Sequence, residues 1–278
     1  MHLADAFFVV TALIYVAATA VFGRFLVRPS EDRNVARKGA WLLGMGMALH
    51  SAHISIAAFA LHICPVQGVH FALNVASLVV VLGYLVMRTR VRIDALGAIV
   101  APFALTFLLG SRSASSHAES PLALRSALLP FHVAANVLGI ALFTLASVAA
   151  AAYLVQEHLL KSKRLDHWFR RLPPLDALDR AEHGFLLAGF PLLTVGILIG
   201  TLWAHGVETG DPTSVARAIF GYASWILFAT VLILRAALGW RGRRAAWGTI
   251  VGYGFTLAVI VVYLLRQTSA NPASGVHG

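Results

Sequence analysis

The sequence predicts an all-α fold: a polytopic integral membrane protein with eight transmembrane helices and both termini outside. Three observations carry this prediction. First, 59% of the 278 residues are hydrophobic and only 12% are charged, against about 25% charged in an average soluble domain. Mean hydropathy is +0.78, more apolar surface than a soluble core of this size can absorb. Second, the apolar residues fall into eight runs of about 18 residues or more, the length that crosses a hydrocarbon core. Third, the basic residues sort into alternate loops.

The first run, 5–26, follows a start with no basic n-region, so a retained span is expected rather than a cleaved signal peptide. The second, 40–61, is apolar but carries His50 and His53. The third and fourth, 70–87 and 93–110, are separated by Arg88, Arg90 and Arg92, and the fourth contains Pro102. The fifth, 129–155, is rich in alanine, which lets neighbouring helices approach. The sixth, seventh and eighth cover 183–203, 217–238 and 246–266. Gly196-Ile-Leu-Ile-Gly200 and Gly248-Thr-Ile-Val-Gly252 are small-xxx-small patterns that favour close helix packing in membranes. Residues 1–278 read as a single membrane domain without internal repeats or a soluble module.

The loops fix the direction. The first, third, fifth and seventh carry sixteen Lys and Arg residues, and the second, fourth and sixth carry only Arg112 and Arg125. Basic loops face the cytoplasm, which places both termini outside. This distribution also accounts for the net charge of +10, since a nucleic-acid surface would gather its charge into one patch. Trp240 and Trp247 sit at the cytoplasmic ends of spans, as interfacial anchors do. The segment 157–182 is the longest cytoplasmic piece. It mixes both charge signs with Trp168 and Phe169, is broken at Pro173-Pro174, and is suited to lying on headgroups. Residues 111–121 read as an exposed outer loop, and 267–278 as a disordered tail.

Soluble-enzyme signals are absent: no phosphate-cradling glycine loop, no cysteine-based zinc spacing and no nucleophile elbow. The single cysteine, Cys64, excludes an internal disulfide framework. No Asp or Glu is expected inside a span away from its ends, which argues against a proton- or sodium-coupled transporter. The chemistry therefore rests with histidine. Of twelve histidines, the predicted spans put His50, His53 and His132 within the membrane, where an imidazole is costly unless used or paired. His50 and His53 are three residues apart and share a helix face. His50 lies about ten residues into its span, or roughly 15 Å, near the midplane. Two readings stay open. Such histidines make interhelical hydrogen bonds, or a pair on two helices clamps a haem iron between neutral imidazoles oriented by further polar groups. Ser51, Ser55, Asn74 and Asn136 are available as those groups.

The stretch "LPFHVAANVLGIALFTLASVAAAAYLVQEHLL" at 129–160, then "LPPLDALDRAEHGFLLAGFPLLTVGILIG" at 172–200, and "GWRGRRAA" at 239–246, closely resemble the cytochrome c assembly family. That family includes the CcsA, CcmC and HemX proteins. Through His50 and "FALNVASLV" at 71–79, the chain resembles the shorter HemX-like or YpjD-like branch. The resemblance implies a multi-pass protein of the bacterial inner membrane that binds or handles haem in cytochrome c biogenesis or a related accessory step of haem metabolism. It would be a binding or transfer protein rather than an enzyme. The implied cofactor is haem b, with His50, His53 and His132 as candidate iron ligands and His183, Trp203 and His205 as further cofactor contacts. Implied partners are haem, other cytochrome c maturation proteins or an apocytochrome, and the bilayer, with no nucleic acid. The family's outer loop is rich in tryptophan and ends in Trp-Asp. The matching loop here, "GTLWAHGVETGDPTS" at 200–214, keeps Gly200, Trp203-Ala204 and Asp211-Pro212 but lacks the other tryptophans. Leu234-Arg235 stands where a further histidine is expected. That departure leaves an alternative of another class: a haem-free scaffold or accessory subunit that retains the fold.

Overall fold

Every element among the described residues is helical. The computed structural model describes residues 3–28, 33–59, 69–90, 93–113, 128–163, 172–204 and 212–269. The long helices are α1 (Leu3–Val27), α2 (Arg33–Phe59), α3 (Val69–Arg90), α4 (Gly97–Ser113), α5 (Leu128–Lys161), α6 (Leu175–Ala204), α7 (Pro212–Leu238) and α8 (Arg243–Ser269), with a short 3-10 turn, Asp94–Leu96, leading into α4. The helices run past several predicted span ends. α4 passes through Pro102 and on to Ser113, where Arg112 pairs with Asp5 of α1 at 2.8 Å. α6 starts at Leu175, directly after Pro173-Pro174, and the Pro174 carbonyl accepts from the Ala177 and Leu178 amides. Proline is suited to a helix start, where its missing N–H costs nothing. Residues 114–127, 164–171, 205–211 and 270–278, with His205 among them, lie outside the described residues.

Among the described residues, seven helices, α1 and α3 to α8, are long and apolar enough to cross a membrane. The sequence predicts eight. The eighth candidate, α2, has the length at 27 residues, but His50, His53, Ser51 and Ser55 dilute its apolar run and Arg33, Arg37 and Lys38 occupy its first turns.

Two cores share α5 as their common wall. The first joins α1 to α4 with Val137, Ala141, Leu145, Val148 and Ala152 of α5. The second joins Phe143 and Ala146 of α5 to Leu186 and Leu193 of α6, Phe228 and Val231 of α7, and Ala245 and Tyr253 of α8. Alanine makes this double duty feasible: Ala141, Ala146, Ala149, Ala150 and Ala152 are all buried and let helices pack on both sides of α5. Glycines set the closest approaches. On α6, Gly189 sits against Phe143, Gly196 against Asn136 and Gly200 against His132, and on α8 Gly248 and Gly252 sit against Val231 and Phe228. A Cβ on Gly196 would stand 2.5 Å from Asn136 Oδ1. Both small-xxx-small patterns are therefore helix interfaces.

Candidate functional site

Among the described residues, three groups of polar side chains bear on the site. The first is an interior network on α1, α2 and α3. His50 is fully buried. Its Nε2 lies 2.7 Å from Asn74 Oδ1, and its Nδ1 lies 3.3 Å from the Tyr15 hydroxyl. An amide oxygen can only accept, so Nε2 carries the proton and Nδ1 accepts from Tyr15. The Asn74 amide nitrogen then faces His53 Nε2 at 3.5 Å. Phe8 packs edge-to-face with His53, ring centroids 5.6 Å apart, and the Arg112 guanidinium stands over the Phe8 ring at 4.8 Å. As placed, neither nitrogen of His50 is open to an iron, and the ring is enclosed on all sides. His50 does not fit an axial haem ligand in this arrangement.

The second place is the end of the α5–α6 interface where α5 begins and α6 ends. His132 is partly buried, with Cε1 3.2 Å from the position a Cβ would take on Gly200. Asn136, one turn on, donates to the His132 main-chain carbonyl at 2.8 Å and faces its Nε2 at 3.3 Å. The longer of these contacts can be given up while the amide stays anchored on the carbonyl. A glycine face against the ring, with Asn136 anchored on the main-chain carbonyl beside it, is an arrangement compatible with a metal-ligating imidazole. Trp203 lies in the last turn of α6, close to this end in sequence.

The third place, at the opposite end of α6, is the one sequence reasoning missed. Asp179 takes both terminal nitrogens of Arg235, at 3.0 and 2.5 Å, and the Gly242 amide at 2.9 Å. Gly242 has φ +68°, and a Cβ there would meet the Tyr153 hydroxyl at 2.5 Å, so glycine is needed on both counts. Glu182 is fully buried and accepts from Thr249 at 2.6 Å. His183 lines a neighbouring cleft of about 310 Å³ with Asp176, Asp179, Arg180, Arg235 and Arg241. The predicted sixth span began at 183, which left these carboxylates in a loop. They lie instead on the helix itself, in the first turns of Leu175–Ala204, at the charged end of the apolar stretch Leu175–Leu202. The signal was in the sequence: Asp179 and Glu182 are three apart, so they are neighbours on one side of the helix that continues into the apolar run.

Among the described residues, no group of three or more His, Cys, Asp or Glu side chains could hold a metal ion. A haem iron needs only two protein ligands.

Residues 1–270 match the family described as Cytochrome C assembly protein. The chain belongs to that family. Among its relatives, the protein HemX of Bacillus subtilis (strain 168) is 25% identical over 269 residues, covering 93% of this chain and 94% of its own. The cytochrome c biogenesis protein CcsA of Guillardia theta is 28% identical over 201 residues, 65% of each chain. The CcsA of Synechococcus elongatus is 36% identical over 89 residues, 32% of this chain and 26% of its own. The chain thus spans nearly all of HemX but less than two thirds of either CcsA. No solved structure matches. Membership of the cytochrome c assembly family and seven membrane-length apolar helices make this a multi-pass membrane protein.

Proposed function

We propose that this cytochrome c assembly family protein handles haem at the outer side of the bacterial inner membrane, as a binding or transfer component of cytochrome c biogenesis rather than an enzyme. The observation that carries the reading is the His132 site. It places an imidazole over the Gly196–Gly200 face of α6, at the end of the helix that leads into the 205–211 segment. That segment is part of the stretch 200–214, which resembles the family's tryptophan-rich loop. The eight-span arrangement with both termini outside belongs to the same proposal and is supported by the charge bias of the loops.

His132 would hold the iron, with His53 or His205 as candidate second ligands and Trp203 as a further candidate cofactor contact. His183 stands at the other end of α6, away from His132. A single cysteine leaves no pair for thioether attachment, so the group would be a non-covalent haem b. When bound it supplies the cargo passed to an apocytochrome. The chain's own part is to orient the imidazole through Asn136 and Gly200 and to exclude water with the apolar walls of α5 and α6.

A second reading, a haem-free scaffold or accessory subunit, draws on the fully hydrogen-bonded state of His50 and the reduced loop at 200–214. The two part in a strain lacking the protein. Haem staining of its membranes is expected to show reduced c-type cytochromes, restored by the parent chain and not by His132→Ala produced at equal level. Full restoration by His132→Ala would favour the scaffold.

A further inference from the structure

Glu182 is the one fully buried carboxyl among the described residues, and the haem reading gives it no task. Its Oε1 accepts from the Thr249 hydroxyl on α8, and its Oε2 is buried without a hydrogen-bond partner. No described Lys, Arg or His forms an ion pair with it. The charged and titratable groups around it come from each neighbouring helix. They are Tyr153 on α5, Asp179 and His183 on α6, and Arg235 on α7. Arg235 spends its terminal nitrogens on Asp179. Gln156 Oε1 on α5 is another buried acceptor without a donor.

A carboxylate in this position would be an ion held out of water with one hydroxyl donor and no counter-charge. Such burial costs several kcal/mol, and unpaired acceptors in a membrane interior find no water to replace the missing donor. A single added proton removes the charge and turns Oε2 from an orphan acceptor into a donor. We propose that Glu182 is a proton-binding site. At neutral pH it is the carboxylic acid, with the proton on Oε2 and Thr249 donating to the carbonyl oxygen, Oε1. The proton exchanges with the basic-loop side of the membrane, where the Asp179–His183–Arg235 cleft opens. The site lies at the opposite end of α6 from Gly200, against which His132 of α5 packs, so binding or release of a proton changes the charge of the helix that the candidate haem ligand rests on. This inference does not depend on haem being bound.

Infrared difference spectroscopy of the purified full-length protein tests it. The parent at pH 7 is expected to show the carbonyl stretch of a protonated, buried carboxylic acid. That band should be absent in Glu182→Gln and persist in the parent until alkaline pH. Thr249→Val removes the donor to the carbonyl oxygen and should move the band to higher frequency, which keeps the test open if Glu182→Gln fails to fold. Labelling of Glu182 by dicyclohexylcarbodiimide, a reagent for protonated carboxyls in apolar surroundings, should appear in the peptide that contains it. A parent with no such band at pH 7, or a band unchanged in both variants, overturns the proposal.

Discussion

Replacing Arg235 with methionine is expected to destabilise the protein by about 3–5 kcal/mol, the cost of stranding one partner of a buried ion pair. Both side chains are only 9% exposed, so water does not screen the loss. Asp179 would retain the Gly242 amide at 2.9 Å and lose both guanidinium bonds. The damage lies in the orphaned charge rather than in the missing attraction. The double variant Asp179→Leu with Arg235→Met should therefore recover most of the stability, since apolar replacement of a whole buried pair is often close to neutral. Arg235→Lys should fall between, because one ammonium cannot reproduce a two-pronged contact. Thermal unfolding in detergent, followed by circular dichroism, checks the order. A methionine variant as stable as the parent would show that the pair does not hold α6 to α7.

Asn74→Leu is expected to cost about 1–3 kcal/mol, the penalty for a buried donor left without its acceptor. It removes the amide that receives His50 Nε2–H at 2.7 Å and that faces His53. His50 is 0% exposed, so no water replaces the lost partner. Tyr15→Phe removes only the longer, 3.3 Å bond and leaves the ring packed, so it should lie near the average for interhelical hydrogen bonds in membranes, about 0.6 kcal/mol. Unfolding by SDS titration would show the two variants in that order. Equal and small effects would mean that the network is not what holds α1, α2 and α3 in register.

Much of this arrangement was legible in the sequence. The apolar runs found seven helices of membrane length, and α2 was recognised as a helix by the same rule although its polar residues dilute it. Of the four polar partners marked for the interior histidines, Asn74 and Asn136 stand within hydrogen-bonding distance of a histidine ring, whereas Ser51 donates to the Met47 carbonyl of its own helix. The glycine pairs marked the α5–α6 and α7–α8 interfaces because a missing Cβ leaves only one sensible use at a tight crossing. Less legible was everything that depends on where a helix begins. Hydropathy ends a span at the first charged residues, but a helix can carry charge inward if partners from other elements neutralise it. Asp179 finds Arg235 fifty-six residues away in sequence and Glu182 finds Thr249 sixty-seven away, pairings that no local window contains. Arg235 reads as a departure from the family pattern in sequence, and in the fold it is an anchor for Asp179. The role of His50 was equally out of reach. A buried imidazole that ligates and one that hydrogen-bonds look alike until both nitrogens can be traced to their partners.

The most direct test of haem handling is the visible spectrum of the purified protein from haem-replete cells, read beside His132→Ala and His50→Ala as haem per folded protein. The account predicts a Soret band in the parent, lost or shifted in His132→Ala, and unchanged haem content in whatever His50→Ala remains folded. A parent with no Soret band would contradict it and leave the haem-free scaffold in its place.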